Sequence, residues 1–312
     1  MTAGPARRRV GPVIVAATAL MTAGCGWGRD IGTGSKTDVG GRTEVVTDPA
    51  SDPVHDADPV PVVVDRVVDG DSVELIVAGV DVELRLEGYN APELYAENGD
   101  GAETQTCDGL AARAAVDAAV EAASTIELVA GGSDRFGRTL GDLLLDGESV
   151  VDRLIGEGYG LATGDDERRR ALMVDAASAG LGVWGNGCGE PVSEDLTIGV
   201  IQVDAPGDDR YNLVEESVEV VNIGSEPIEL AGWVLRDDTT GHRFPLPGTL
   251  AAGEWLTVIT GAAPPGVARA DTVYLGESFP VWSNDWETVI LVDPKGVFAD
   301  WRFVADGRVL LE

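Results

Sequence analysis

Histidine and lysine are nearly absent. His55 and His242 are the only histidines in 312 residues, and Lys36 and Lys295 the only lysines. His55 lies in "SDPVHDADP", which reads as linker, and His242 in "TTGHRF". Neither has the setting of a Ser-His-Asp or Cys-His site, where a nucleophile, a base and an orienting group must meet. The three cysteines form no His/Cys cluster of zinc spacing, and no GxxxxGK[ST] loop occurs. Chemistry on this chain must therefore run on carboxylates, arginines and a hard metal ion.

Positive charge is scarce as well. Fifty-four acidic residues against 22 basic ones give a formal net charge of −32. Such a charge repels polyanions at long range, which counts against a nucleic-acid substrate at first sight. It suits an exported protein kept soluble by an acidic surface, and it favours binding of a divalent cation. A content of 44% hydrophobic and 24% charged residues belongs to a globular protein, with room for two domains plus tails.

Long apolar runs are missing except between Val10 and Ala23. That run follows Arg7, Arg8 and Arg9 and ends in Gly24-Cys25, a signal-peptide plan too short for a membrane span. The ending "TAGC" resembles a bacterial lipobox, although Thr22 stands where leucine is usual. Residues 1–25 are thus expected to be a signal peptide with Cys25 lipidated, and 26–59 a flexible linker rich in Gly, Thr, Asp and Pro. The chain is expected outside the cytoplasm, lipid-anchored at the outer face of the cell membrane or released. Cys107 and Cys188 then form an even pair in an oxidising compartment and are expected as a disulfide.

From Val60 the pattern is β. "VPVVVDRVV", "SVELIVAG" and "VDVELRLEGY" are β-branched, with turns at Asp69-Gly70 and Ala78-Gly79. "CDGLAARAAVDAAVEAAS" predicts an Ala-rich helix with Asp108 as its N-cap. "TIELVA" and "TLGDLLL" are further strands, and two more helices follow. Five strands with late helices suit an α+β fold, a small closed barrel with helices outside. Beyond the Arg7–Arg9 run, Arg168, Arg169 and Arg170 are the one basic run and read as a solvated helix face.

"VVDGDSVEL", "RLEGYNAPE" and "DRFGRTLGDLLLDGESVVDRLIGEGYGLA", in this order and spacing, resemble the staphylococcal (micrococcal) nuclease family over residues 60–190. The resemblance implies an oligonucleotide/oligosaccharide-binding (OB) barrel and Ca²⁺-dependent hydrolysis of DNA and RNA to 3′-phosphates. It implies Glu93 as the carboxylate that handles the attacking water, with Arg85 and Arg138 on the phosphate. Asp71, Asn90 and the Ala91 carbonyl would ligate the metal, and Arg135 and Phe136 would contact substrate. Asn90 replaces the family's second aspartate, and the lysine-rich loop of many members is here the acidic "LYAENGDGAETQTC".

After "PVSEDL" the chain turns all-β. "NLVEESVEVVNIGSEPIELAGWVLRD", "FPLPGTLAAGEWLTVITG" and "FPVWSNDWETVILVDPKG" resemble a lamin-tail domain over residues 196–304. That implies an immunoglobulin-like sandwich whose Trp233, Trp255, Trp282, Trp286 and Trp301 are core or edge aromatics. Its partner is not named by the resemblance, and the chain is expected to be a monomer. Two readings compete. One is an exported nuclease with an accessory sandwich, and the other a catalytically inactive envelope protein that binds a ligand or partner.

Overall fold

The computed structural model describes residues 58–97, 103–185, 187–205, 207–237, 242–267 and 269–311. The expected signal peptide, Cys25, His55 and nearly all of the expected linker lie outside the described residues, as does the middle of the acidic loop.

In chain order the first half has β1 (Val60–Pro61), β2 (Val63–Val67), β3 (Ser72–Val77), β4 (Val80–Leu86), β5 (Tyr89–Asn90), β6 (Tyr95–Glu97), β7 (Glu103–Gln105), α1 (Cys107–Ala122), β8 (Ile126–Ser133), β9 (Thr139–Leu145), β10 (Glu148–Ser149), α2 (Val150–Gly156), β11 (Leu161–Ala162) and α3 (Glu167–Ser178). Ala78 and Gly79 join β3 to β4 with φ of 49° and 82°, the left-handed backbone that a two-residue hairpin turn demands. The main sheet runs β1-β8-β9-β4-β3-β2, with β10 added on β9. Only the β4–β9 pairing in this sheet is parallel. β1 and β2 are parts of one extended run separated by Val62, yet Val60 pairs with Leu128 and Val63 with Ile76, at opposite ends of that order. β5 pairs with β11 and β6 with β7.

Two local expectations need correction. The N-cap of α1 is Thr106, not Asp108. Thr106 is extended (φ −85°, ψ 145°) and its hydroxyl accepts the Gly109 N–H, whereas Asp108 lies inside the first turn at 5% exposure. A cap needs extended backbone, and the residue that leaves β7 supplies it. The arginine run is not a solvated face either. Arg169 is 4% exposed, reaching Asp142 at 2.9 Å and Asp152 at 2.8 Å and donating to the Glu87 carbonyl at 3.0 Å. Packing of α3 across α2 turns Arg169 inward, and Arg170 keeps only 17% of its side chain exposed. Arg168 stays outside on Asp152.

The second half holds β12 (Leu196–Gln202), β13 (Ser217–Asn222), β14 (Ile228–Glu229), β15 (Val234–Asp237), β16 (Arg243–Pro245), β17 (Thr249–Leu250), β18 (Trp255–Ile259), β19 (Thr272–Tyr274), β20 (Trp286–Val292), β21 (Phe298–Ala305) and β22 (Arg308–Leu311). One sheet runs β12-β13-β18-β19 and the other β16-β15-β20-β21-β22. Val218, Val220, Leu256 and Val258 from the first share a buried cluster with Leu235, Val289, Leu291 and Val304 from the second. Each strand sends alternate residues inward, which is what two stacked sheets require.

The two halves share a core. Ile290, Val292, Phe298 and Phe303 belong to the same buried cluster as the first half's strands and helices. Trp184, 2% exposed, meets Phe298, Trp301 and Phe303 edge-on at 5.7, 5.4 and 5.4 Å. Arg170 stacks on Trp286 with its guanidinium carbon 5.2 Å from the ring centroid. Of the second half's tryptophans, Trp233 and Trp282 are buried in the sandwich, Trp255 is 48% exposed, and Trp286 and Trp301 face this junction. The connecting segment is pinned too, since the Val192 N–H donates to Asp293 at 2.8 Å.

Candidate active site

The segment from Asp69 to Ser72 turns tightly between β2 and β3. Asp69 accepts the Asp71 N–H at 3.0 Å, and Val68 donates to the Ser72 carbonyl at 2.9 Å. Gly70 is required there because a Cβ would fall 2.5 Å from the Ala91 side chain and 2.8 Å from that of Ala112. The turn thus lies against the Asn90-Ala91-Pro92-Glu93 segment. Asp71, 7% exposed, accepts the Ala91 N–H at 2.9 Å and the Ser72 hydroxyl at 3.2 Å.

Arg85 stands opposite Ser72 across β3 and β4. It forms an ion pair with Asp71 and donates to the Asn90 side-chain oxygen at 2.9 Å and the Tyr89 carbonyl at 3.3 Å. Burial lowers its pKa, and the neighbouring charge of Arg138 lowers it further, against the opposing pull of Asp69 and Glu93. The two guanidiniums share a cavity with the carboxylates of Asp69, Asp71 and Glu93, and Arg85 is already ion-paired with Asp71.

Arg138 reaches the same place by a different route. The parallel pairing of Leu84 with Thr139 sets the start of β9 beside β4. Asp134 then fixes the turn, accepting the N–H groups of Phe136 and Arg138 at 2.9 Å each and the Arg138 Nε at 2.8 Å. Burial pushes the Asp134 carboxyl up, but the bonds from Arg138 outweigh it and leave the pKa lowered. The side chain of Arg138 makes no other hydrogen bond among the described residues, so its terminal nitrogens remain available.

Together these residues line a cavity of about 230 Å³, bounded by Asp69, Asp71, Ser72, Arg85, Asn90, Ala91, Pro92, Glu93, Leu94 and Arg138. The six residues expected in catalysis and metal binding all lie on it. Glu93 is exposed at its rim. Arg135 and Phe136 do not line it. They form the tip of the next turn, where Phe136 is 71% exposed with the guanidinium carbons of Arg135 and Arg138 at 4.7 and 5.8 Å from its ring centroid. Sequence reasoning gave Asp69 no site role beyond its turn and passed over Asp134 and Thr106. The Asp-Gly-Asp turn and the aspartate four residues before Arg138 were the available signals.

The donors on the cavity are all oxygens: the Asp71 carboxylate, the Asn90 amide and the Ala91 carbonyl, with Asp69 and Glu93 beside them. That set fits a hard divalent cation and not a soft one. Among the described residues the one group of three His, Cys, Asp or Glu side chains with ligand atoms within 4.8 Å of one another is Cys107, Asp108 and Cys188; the cavity carboxylates are not drawn together that closely. The sulfurs are consumed, because Cys107 and Cys188 form a disulfide across 81 residues. Burial, with help from the Asp293 charge, pushes the Asp108 carboxyl up to about 6. His242 is bonded to Asp237 at 3.1 Å and stacked on Phe244 at 5.9 Å, in the sandwich and away from the cavity-lining residues.

No curated protein matches the chain at significant similarity. The cavity-lining residues lie outside the segment that a family model matches. Residues 190–305 match the Lamin Tail Domain family, and this part of the chain is an immunoglobulin-like β-sandwich.

Proposed function

We propose that residues 60–190 form a phosphodiester hydrolase of the staphylococcal nuclease type, cutting DNA and RNA to leave 3′-phosphates. The observation that carries this reading is the convergence of Arg85, Arg138 and Glu93 on one polar cavity. The run from Val60 to Val67, paired at both ends of the sheet order, supports a small barrel of the OB kind as its frame.

In this reading a phosphodiester enters between the two arginines. The terminal nitrogens of Arg138, and those of Arg85, bind its non-bridging oxygens, and they bind more strongly as negative charge gathers in the transition state. Glu93 carries no side-chain hydrogen bond among the described residues, so it is free to orient a water and accept its proton. The water oxygen bonds to phosphorus, the bond from phosphorus to the 5′-oxygen breaks, and that oxygen takes up a proton from solvent. Asp71, Asn90 and the Ala91 carbonyl would hold Ca²⁺, which when bound supplies charge neutralisation at the phosphate. Pro92 and Ala91 are buried and keep Glu93 at the rim.

The charge of −32 limits affinity for long polyanions, and the two arginines supply attraction only locally. We place the enzyme outside the cytoplasm, held by a lipid on Cys25 or released as a monomer, with the lamin-tail part as an accessory module. Among the described residues no helix is long and apolar enough to cross a membrane. A second reading has one observation in its favour: Arg85 already satisfies Asp71 and Asn90. A protein that binds an anion without metal or turnover would keep that arrangement.

The deciding experiment is release of acid-soluble nucleotides from single- and double-stranded DNA and from RNA across a Ca²⁺ series, with Glu93→Gln as control. The hydrolase reading expects metal-dependent cleavage that falls by about 10²–10⁴-fold in the variant. Absence of cleavage by folded, disulfide-bonded protein would leave the binding protein.

A further inference from the structure

Glu93 sits on a segment between β5 and β6 that has no strand or helix of its own. Its backbone is held from α1. The Thr106 hydroxyl donates to the Glu93 carbonyl at 2.5 Å, and the Thr106 N–H donates to the Leu94 carbonyl at 3.0 Å. The same hydroxyl accepts the Gly109 N–H at 3.1 Å, so one donor and one acceptor function of a single side chain tie the helix start to the loop. The fit is close: a Cβ on Gly109 would fall 2.4 Å from the Glu93 carbonyl oxygen and 2.7 Å from the Thr106 hydroxyl.

Thr106 is itself enclosed, at 8% exposure. The next residue, Cys107, is bonded to Cys188. From the other side comes the turn that joins β20 to β21, where a Cβ on Gly296 would lie 3.5 Å from the Thr106 methyl carbon. That turn is closed by Asp293, which accepts the N–H groups of Lys295 at 2.7 Å, Val297 at 2.9 Å and, from the connecting segment, Val192 at 2.8 Å.

We propose that Thr106 is the positioning residue for Glu93, and that the Asp293–Val297 turn of the lamin-tail part holds Thr106 in place, making that part a structural component of the hydrolytic site. The inference rests on the hydrolase reading above. It assigns the lamin-tail part a role inside the molecule, in addition to any external partner. A carboxylate at the end of an unpaired loop explores many positions, and an in-line attack tolerates few of them.

The test is steady-state kinetics of the exported, disulfide-bonded protein on a single-stranded DNA oligonucleotide at saturating Ca²⁺. Thr106→Val, Thr106→Ser and Asp293→Ala are compared with wild type, and amide hydrogen exchange is followed over residues 91–95. Thr106→Val is expected to lower kcat about 10–100-fold with KM within about threefold, because a misplacement of about 1 Å can cost that much. Thr106→Ser keeps the hydroxyl and should restore kcat to within about threefold of wild type. Asp293→Ala, whose side chain does not line the cavity, should lower kcat several-fold and leave KM unchanged. Faster exchange over residues 91–95 should accompany both losses. An active wild type whose Thr106→Val variant keeps its kcat overturns this inference alone. Equal losses in the valine and serine variants also overturn it, since the hydroxyl that serine keeps would then not be what holds Glu93. A wild type that cleaves nothing overturns the hydrolase reading and this inference with it.

Discussion

Arg85 donates to the side-chain oxygen of Asn90 at 2.9 Å while its other terminal nitrogen pairs with Asp71. The guanidinium therefore competes for the two side-chain oxygens proposed to bind metal. Substituting Asn90→Asp adds one charge to the ligand set, and calorimetric titration should show Ca²⁺ bound about tenfold more tightly. Unchanged affinity would remove residue 90 from the set.

Arg169 holds Asp142 and Asp152 in a nearly dry site, with side-chain exposures of 5% and 1% for Arg169 and Asp142. Removing the cation strands a buried carboxylate. Urea unfolding of Arg169→Met should show a loss of about 3–5 kcal/mol. A loss under about 1 kcal/mol, the usual range for a surface pair, would contradict the burial described above.

Trp184 is the first half's largest contribution to the shared core. Truncation to alanine should cost about 3–5 kcal/mol and uncouple the halves. Calorimetry would then resolve two unfolding transitions where wild type gives one. Trp184→Phe should be milder, because the indole Nε1 is buried without a hydrogen-bond partner.

Asp108 gives the stability a pH dependence of a definite sign. Its carboxyl ionises near 6 in the folded protein against 3.8 for the unperturbed group. Between those values the folded state keeps a proton that the unfolded chain has lost, so this group makes stability fall as pH rises through the window. Asp108→Asn cannot ionise. It should match wild type near pH 3.5 and exceed it by about 1–3 kcal/mol at pH 8 in denaturant melts. A variant less stable than wild type at pH 8 would refute the assignment.

Much of the fold was legible because it depends on neighbours in sequence. The β-branched alternation of Ser72 to Val77 and Val80 to Leu86, broken by Ala78-Gly79, gave a hairpin, and the structure has one. Three short motifs named the residues on the cavity, since each motif carries its own turn: Asp69-Gly70-Asp71, Asn90-Ala91-Pro92-Glu93, and Asp134 to Arg138. What they do together depends on strand pairing that no motif states. Arg85 meets Arg138 because β4 and β9 run parallel, and nothing near either arginine in sequence specifies that.

The resemblance to a lamin-tail domain implied the two sheets of the second half, while residue types and local periodicity determined the strands, the helices and the oxygen-and-arginine chemistry available to the cavity. These follow from backbone preference and from which face of an element is apolar, properties of a few consecutive residues. Tertiary structure alone decided that Arg169 turns inward while Arg168 does not, that Thr106 rather than Asp108 caps α1, and that Trp286 and Trp301 face the junction where Trp184 packs. In each case the deciding partner lies on another segment of the chain: Asp142 and Asp152 for Arg169, Glu93 for Thr106, Phe298 and Phe303 for Trp184. Burial and pairing of that kind come from chain segments brought together across many residues, and periodicity within one segment carries no record of them.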